Sequence, residues 1–77
     1  METKTTSIRV VFRGHIKNDP LREIVLVDTE NNIPSCFTED YYLACLCPHA
    51  LKVWELATEL DALDVEINGV RKLRFAR

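Results

Sequence analysis

Glycine is scarce in this 77-residue chain, which contains only Gly14 and Gly69. Two isolated glycines cannot build the glycine-rich loop that wraps phosphates, so that class of nucleotide site is excluded. Long apolar runs are missing too. Near the N-terminus the longest apolar segment is Val10 to Phe12, which lies between two arginines. A signal peptide needs roughly 7–15 apolar residues and a membrane span about 20. We therefore expect neither, and a cytoplasmic location.

An excess of charge of one sign is also absent, because the formal net charge is −2 and the pI is near 5.6. The chain thus lacks the global basic excess typical of many nucleic-acid-binding domains. Hydrophobic residues make up 47% and charged residues 29%, which is a globular composition. Repeats, low-complexity segments and linkers are missing, so residues 1–77 are predicted to form one domain with a small core.

Two strands are predicted in the first half of the chain. Residues 7–16 alternate, with the apolar residues on one face and the polar residues on the other, apart from Val11. The turn KNDP, residues 17–20, leads to residues 22–28, whose run Ile24 to Val27 is apolar on both faces and favours a central strand. Residues 29–34 are expected to end this hairpin.

The middle of the chain is predicted to be helical. Thr38 can cap a short helix over residues 39–46, and Pro48 favours a break near Cys47 and a new helix over about residues 48–62. An apolar stripe recurs at three- and four-residue spacing in that second helix: Val53, Leu56, Ala57, Leu60 and Leu63. A single kinked helix is the alternative.

The last fourteen residues predict a hairpin around Asn68-Gly69. A two-residue loop pairs Ile67 with Val70, whereas a three-residue loop pairs Val65 with Leu73 and gives the better core. Both registers stay open. The whole order is ββαββ, an α+β fold in which an antiparallel sheet of about four strands is covered on one face by one main helix, with or without a short helix before it.

The three cysteines lie close to a histidine, as Cys36, Cys45, Cys47 and His49. These are zinc-ligand types, but on a helix a C-x-C spacing directs the two thiols about 200° apart. A nucleophilic Cys47 would need a base and an oxyanion site that the sequence does not offer. We therefore expect no metal, no cofactor and no catalytic residue, and we interpret the cysteines as reduced, small apolar residues of the core.

The charges are segregated along the chain. Residues 39–66 carry seven acids and one base, whereas the flanking strand segments are rich in basic residues. Acidic candidates for a partner-binding surface are Glu55, Glu59 and Asp61. Basic candidates for nucleic-acid contacts are Arg9, Arg13, Arg71, Lys72 and Arg74, provided that the first and last strands lie together.

These patterns favour a small, non-catalytic protein-interaction module that binds another protein through the acidic helix face, or pairs with itself through an edge strand as a homodimer. In size and charge the chain is similar to small inhibitors encoded by phages and mobile elements. The alternatives are a nucleic-acid-binding module that uses the basic residues and, more weakly, a Cys/His zinc domain. An enzyme would need a cleft, which a chain of this size rarely encloses.

Overall fold

The computed structural model describes residues 4–19 and 21–76. Its elements are β1 (Thr5–Ile16), β2 (Glu23–Pro34), α1 (Glu39–Leu56), β3 (Leu60–Ile67) and β4 (Val70–Ala76). The strands form one antiparallel sheet in the order β2-β1-β3-β4. The ββαββ prediction is therefore confirmed. Pro20, which the sequence places in the first turn, lies outside the described residues.

The core lies between α1 and one face of the sheet. Alternation in β1 directs Ile8, Val10 and Phe12 to this face, and all three are buried. Trp54 of α1 stacks on Phe75 of β4 with ring centroids 6.1 Å apart. The other sheet face, which we call the open face, carries the alternate residues of β1 and their cross-strand partners. The assignment of the β1 faces from the sequence is confirmed.

The helix is one continuous element, so the predicted break near Cys47 is wrong. Thr38 caps its N-terminus as expected, accepting a hydrogen bond at Oγ1 from the Tyr41 backbone N–H at 3.0 Å. Pro48 is tolerated inside α1. It has no backbone N–H to donate to the carbonyl of Ala44, but Pro48 and Ala44 are both exposed. Water can satisfy that carbonyl on the outer face of the helix.

The helix ends at Leu56, not near residue 62, and a bulge explains the error. Leu60 and Leu63 belong to β3, where His15 pairs with Ala62 and Ile16 pairs with Leu60, leaving Asp61 as an extra residue. The bulge lets two leucines three residues apart both pack in the core, and this spacing mimics a helix. Leu56, assigned to the buried stripe, is 77% exposed.

The strand β2 is longer than predicted and lies at an edge of the sheet, not at its centre. It continues through residues 29–34, which were expected to end the hairpin. A bulge between Phe12 and Arg13 leaves Leu26 without a partner on β1. Val25 is 52% and Leu26 37% exposed, so the apolar run reflects this irregularity and an uncovered edge.

The last hairpin combines both predicted registers. Ile67 pairs with Val70 across the two-residue turn, and Val65 nevertheless pairs with Leu73, since a bulge between Val65 and Glu66 absorbs one residue. Asn68 and Gly69 have φ of 52° and 82°, as such a turn requires. Leu73 and Phe75 therefore pack against the core together with Val65 and Ile67.

Candidate functional site

The acidic candidates come together where α1 meets β3. Glu55 lies in the last turn of α1, Glu59 in the loop that follows, and Asp61 is the bulge residue of β3. All three are exposed, and none has a cation within ion-pair distance among the described residues. We call this group the acidic end. The sequence placed all three on one helix face, whereas only Glu55 is helical.

The position of Glu55 is unfavourable for the helix itself. The C-terminus of a helix carries a partial negative charge, so an acid there destabilises it by about 0.3–1 kcal/mol, and a base would stabilise it. The last turn of α1 contains no basic residue. The charge of Glu55 therefore does not stabilise the helix through its dipole.

An exposed leucine lies within the acidic end. Leu56 directly follows Glu55 and is 77% exposed, although it is large and apolar. A single exposed leucine is common on protein surfaces. Here Glu55 precedes it and Glu59 and Asp61 follow within five residues of the chain, an arrangement similar to the apolar centre and polar rim of a protein interface.

The turn between β1 and β2 lies beside the acidic end. The backbone N–H of Lys17 donates to the carbonyl oxygen of Glu59 at 3.1 Å. The side chain of Lys17 is exposed and brings one cation to this end of the molecule. The acidic end is therefore held by the β1–β2 turn on one side and by α1 on the other.

The basic candidates have a different environment, since β3 separates β1 from β4. The condition that these strands lie together is not met. On the open face Arg9 binds Asp28 through two contacts, Nε–Oδ1 at 3.0 Å and Nη2–Oδ2 at 2.8 Å. These hydrogen bonds hold the pKa of Asp28 below its usual value and raise the pKa of Arg9.

Two further arginines of the open face are also bound to carboxylates. Arg13 donates through Nε to Glu66 at 2.8 Å, and this hydrogen bond is the main reason that the pKa of Arg13 is raised. Arg74 Nε lies 2.9 Å from Asp64 Oδ1, although their alignment does not form a hydrogen bond. Lys72 reaches Glu39 at 3.2 Å. Within the described chain, only Arg71 of the five basic candidates has no acidic partner.

The most buried charge of the open face belongs to Asp64, which is only 5% exposed. Its Oδ2 lies 2.8 Å from His15 Nε2, and Glu23 lies 3.6 Å from the other ring nitrogen. A cavity of about 270 Å³ adjoins this pair and is lined by His15, Ile16, Asn18, Asp61, Ala62 and Arg74. These lining residues include no serine, threonine or cysteine that the His15–Asp64 pair could activate.

The cysteines are not core residues, and that interpretation was wrong. All three are exposed and free. The face of α1 toward the sheet is formed instead by residues such as Leu46, Ala50 and Trp54, because the helix runs through Pro48 without a break. His49 is exposed, with its ring centroid 5.6 Å from that of Phe12. The described residues contain no group of three or more His, Cys, Asp or Glu that could hold a metal ion.

Comparisons with known proteins do not extend this description. No protein family matches the chain, and neither a curated protein nor a solved structure matches it. Within residues 4–19 and 21–76, no helix is long and apolar enough to cross a membrane.

Two features of the surface escaped the sequence analysis. The exposure of Leu56 was hidden because its spacing from Val53 and Leu60 fits a buried helical stripe. The pairing of arginines with carboxylates was hidden because the partners are far apart in sequence, such as Arg13 and Glu66. The sequence signal for it was the concentration of acids in β3 and of bases in β4.

Proposed function

We propose that this protein is a non-catalytic protein-interaction module that binds a basic surface of a partner protein through the acidic end. The observation that carries the proposal is the contrast between two sets of acids. Glu55, Glu59 and Asp61 are exposed and unpaired among the described residues, whereas Asp28, Asp64 and Glu66 are bound to arginines.

Leu56 supplies the apolar centre of this surface. Binding energy at interfaces is concentrated in a few central residues that lose contact with water, and the charged rim adds specificity and a faster encounter. A basic groove with an apolar floor is the matching surface on the partner. A nucleic-acid-binding protein offers such a groove. By occupying it, this chain would act as an inhibitor, like the small inhibitors encoded by phages and mobile elements. We place this action in the cytoplasm, where three exposed thiols stay reduced.

Nucleic-acid binding has less support as the alternative. A phosphate must displace the carboxylates already bound to Arg9, Arg13 and Arg74, and this displacement reduces the favourable electrostatic energy. The open face alternates in charge and so does not present a basic track.

The test uses the immobilised full-length chain to capture proteins from its native host, with binding quantified by mass spectrometry. Three baits are compared: the wild type, Glu55→Lys/Glu59→Lys, and the control Asp40→Lys. Asp40 is an exposed helix acid at the other end of α1, about 22 Å away. We expect the double reversal to lose the partner while its melting temperature is unchanged or raised, because a lysine in place of Glu55 suits the helix C-terminus.

The contradicting result is retention of the partner by the double reversal, or equal loss with Asp40→Lys. A second arm measures labelled DNA and RNA at low and high salt. Oligonucleotide binding that falls steeply with salt and is weakened by Arg71→Glu would favour the nucleic-acid alternative.

A further inference from the structure

The two edges of the sheet differ in charge. The edge strand β2 carries Glu23, Asp28 and Glu30 and no basic residue. The opposite edge strand, β4, carries Arg71, Lys72 and Arg74 and no acid. Each edge presents backbone N–H and C=O groups that no strand of the described chain covers, so each can accept another strand.

Like charges disfavour pairing between identical edges. Two copies that join β2 to β2 bring acids opposite acids, and two copies that join β4 to β4 bring bases opposite bases. Like charges directly opposite one another destabilise a strand pair. Pairing of β4 with β2 of another copy brings opposite charges together.

The strand directions allow this mixed pairing. β1 is antiparallel to both β2 and β3, and β4 is antiparallel to β3, so β2 and β4 run in opposite directions. A second copy displaced sideways by one sheet width therefore meets β4 with an antiparallel β2. The two helices then lie on the same side of the continued sheet.

One register satisfies the side-chain faces and the charges together. Leu73 and Phe75 face the core side of β4, as Thr29 and Val27 do in β2, because Val10 pairs with Thr29 and Phe12 with Val27. Placing these residues opposite one another sets Arg74 against Asp28 and Arg71 against Glu30 on the open face. The bulge at Lys72 absorbs the one extra residue of β4.

We propose that this chain associates head to tail with further copies of itself through pairing of the basic edge β4 with the acidic edge β2. Arg71 and Glu30 form the new ion pair, since neither has an ion-pair partner within the described residues and Glu30 accepts only from the Ser7 hydroxyl. Asp28 and Arg74 join the same row while keeping their internal contacts, because a carboxylate and a guanidinium each accommodate several partners. Exposed Val25 and Val70 lie on the joined edges.

This contact uses a different surface from the acidic end and is independent of the proposed function. It is heterologous, meaning that two different patches meet, so it continues from copy to copy. The predicted species is a series of oligomers whose mean mass rises with protein concentration and falls with salt.

The test is a charge swap followed by sedimentation velocity from micromolar to millimolar concentration. Glu30→Lys places a base opposite Arg71 while β2 keeps Glu23 and Asp28, and Arg71→Glu places an acid opposite Glu30 while β4 keeps Lys72 and Arg74. Each variant alone should self-associate about tenfold more weakly than the wild type. Equal mixing of the two variants should restore association, because the introduced lysine of one variant then faces the introduced glutamate of the other. Lys52→Glu, on an exposed position of α1 and off both edges, should associate like the wild type.

The neutral variants Glu30→Gln and Arg71→Gln guard against a folding defect, since they remove the attraction without adding repulsion and should show an intermediate loss. A wild type that is monomeric at millimolar concentration in low salt overturns the proposal. The proposal is also overturned if both charge variants self-associate as strongly as the wild type, or if their mixture associates no better than each variant alone. Any of these results leaves the proposed function of the acidic end untouched.

Discussion

The side chain of Leu60 lies directly over Gly14, so closely that a β-carbon on Gly14 would be 2.7 Å from Leu60 Cδ1 and 2.8 Å from Cδ2. Leu60 is fully buried at the start of β3, and Gly14 is on the neighbouring strand β1. The missing side chain of Gly14 makes the room that Leu60 fills. The leucine in turn anchors the junction that carries the acidic end.

Gly14→Ala is therefore expected to destabilise the fold by about 1–3 kcal/mol, as overpacking of a filled core does. Leu60→Ala alone should cost about 2–5 kcal/mol through the cavity it leaves. In the double variant the added methyl group enters that cavity, so the two changes should cost clearly less than their sum. Urea midpoints of the four proteins measure this coupling, and strictly additive effects would show that the two positions do not share one space.

The buried carboxylate of Asp64 is expected to matter more for stability than its exposed neighbour. Asp64→Ala leaves His15 and Arg74 without the oxygens that lie 2.8 and 2.9 Å from them, and should cost about 1–3 kcal/mol. Asp61→Ala, at an exposed position of the same strand, should stay within about 0.5 kcal/mol. Chemical denaturation of both variants checks this ranking, which equal losses would contradict.

The Asp28–Arg9 pair predicts a specific loss of stability in acid. The pKa of Asp28 is lowered in the folded state, so the unfolded chain takes up its proton first as the pH falls. The stabilisation is complete above the unfolded-state pKa and is lost as the pH falls through the folded-state pKa. The urea midpoints of the wild type and Asp28→Asn should thus converge between about pH 6 and about pH 2. A difference between the two midpoints that stays constant over this range would contradict the prediction. At neutral pH, high salt should reduce this difference.

The thiols are expected to be accessible in the folded protein. Cys36, Cys45 and Cys47 are all exposed, so a disulfide reagent should label three thiols per chain in native buffer. The labelling rates should be close to those of the same chain in denaturant. If two or three thiols reacted only after unfolding, the cysteines would be buried and the prediction would be wrong.

The sequence predicted the fold well wherever the side-chain period was regular. The alternation of β1, the cap at Thr38 and the turn at Asn68-Gly69 all appear in the structure. The errors coincide with bulges and with Pro48. A bulge shifts the alternation by one residue, so Leu60 and Leu63 resembled a helical stripe, and Val25 and Leu26 resembled a strand buried on both faces.

The residues of the candidate site could be predicted from the sequence, but the surface that they form could not. Glu55, Glu59 and Asp61 could be selected from their charge alone. Whether a charge is paired depends on contacts between distant strands, such as Arg13 with Glu66, and local periodicity carries no information about those contacts. For the same reason the basic residues appeared in sequence as a patch, although four of the five candidates are bound to carboxylates.

The most direct test of the acidic end is the affinity of Leu56→Ala for the partner captured from the native host, measured by calorimetry with purified proteins. Val70→Ala is the matched control, because Val70 is 54% exposed and begins β4 opposite Ile67, at the end of β3 that lies about 23 Å from Leu60. Neither change should alter the unfolding midpoint appreciably. We expect Leu56→Ala to raise Kd by about tenfold or more and Val70→Ala to leave it unchanged. An unchanged Kd for Leu56→Ala, or an equal rise for both variants, would contradict this expectation.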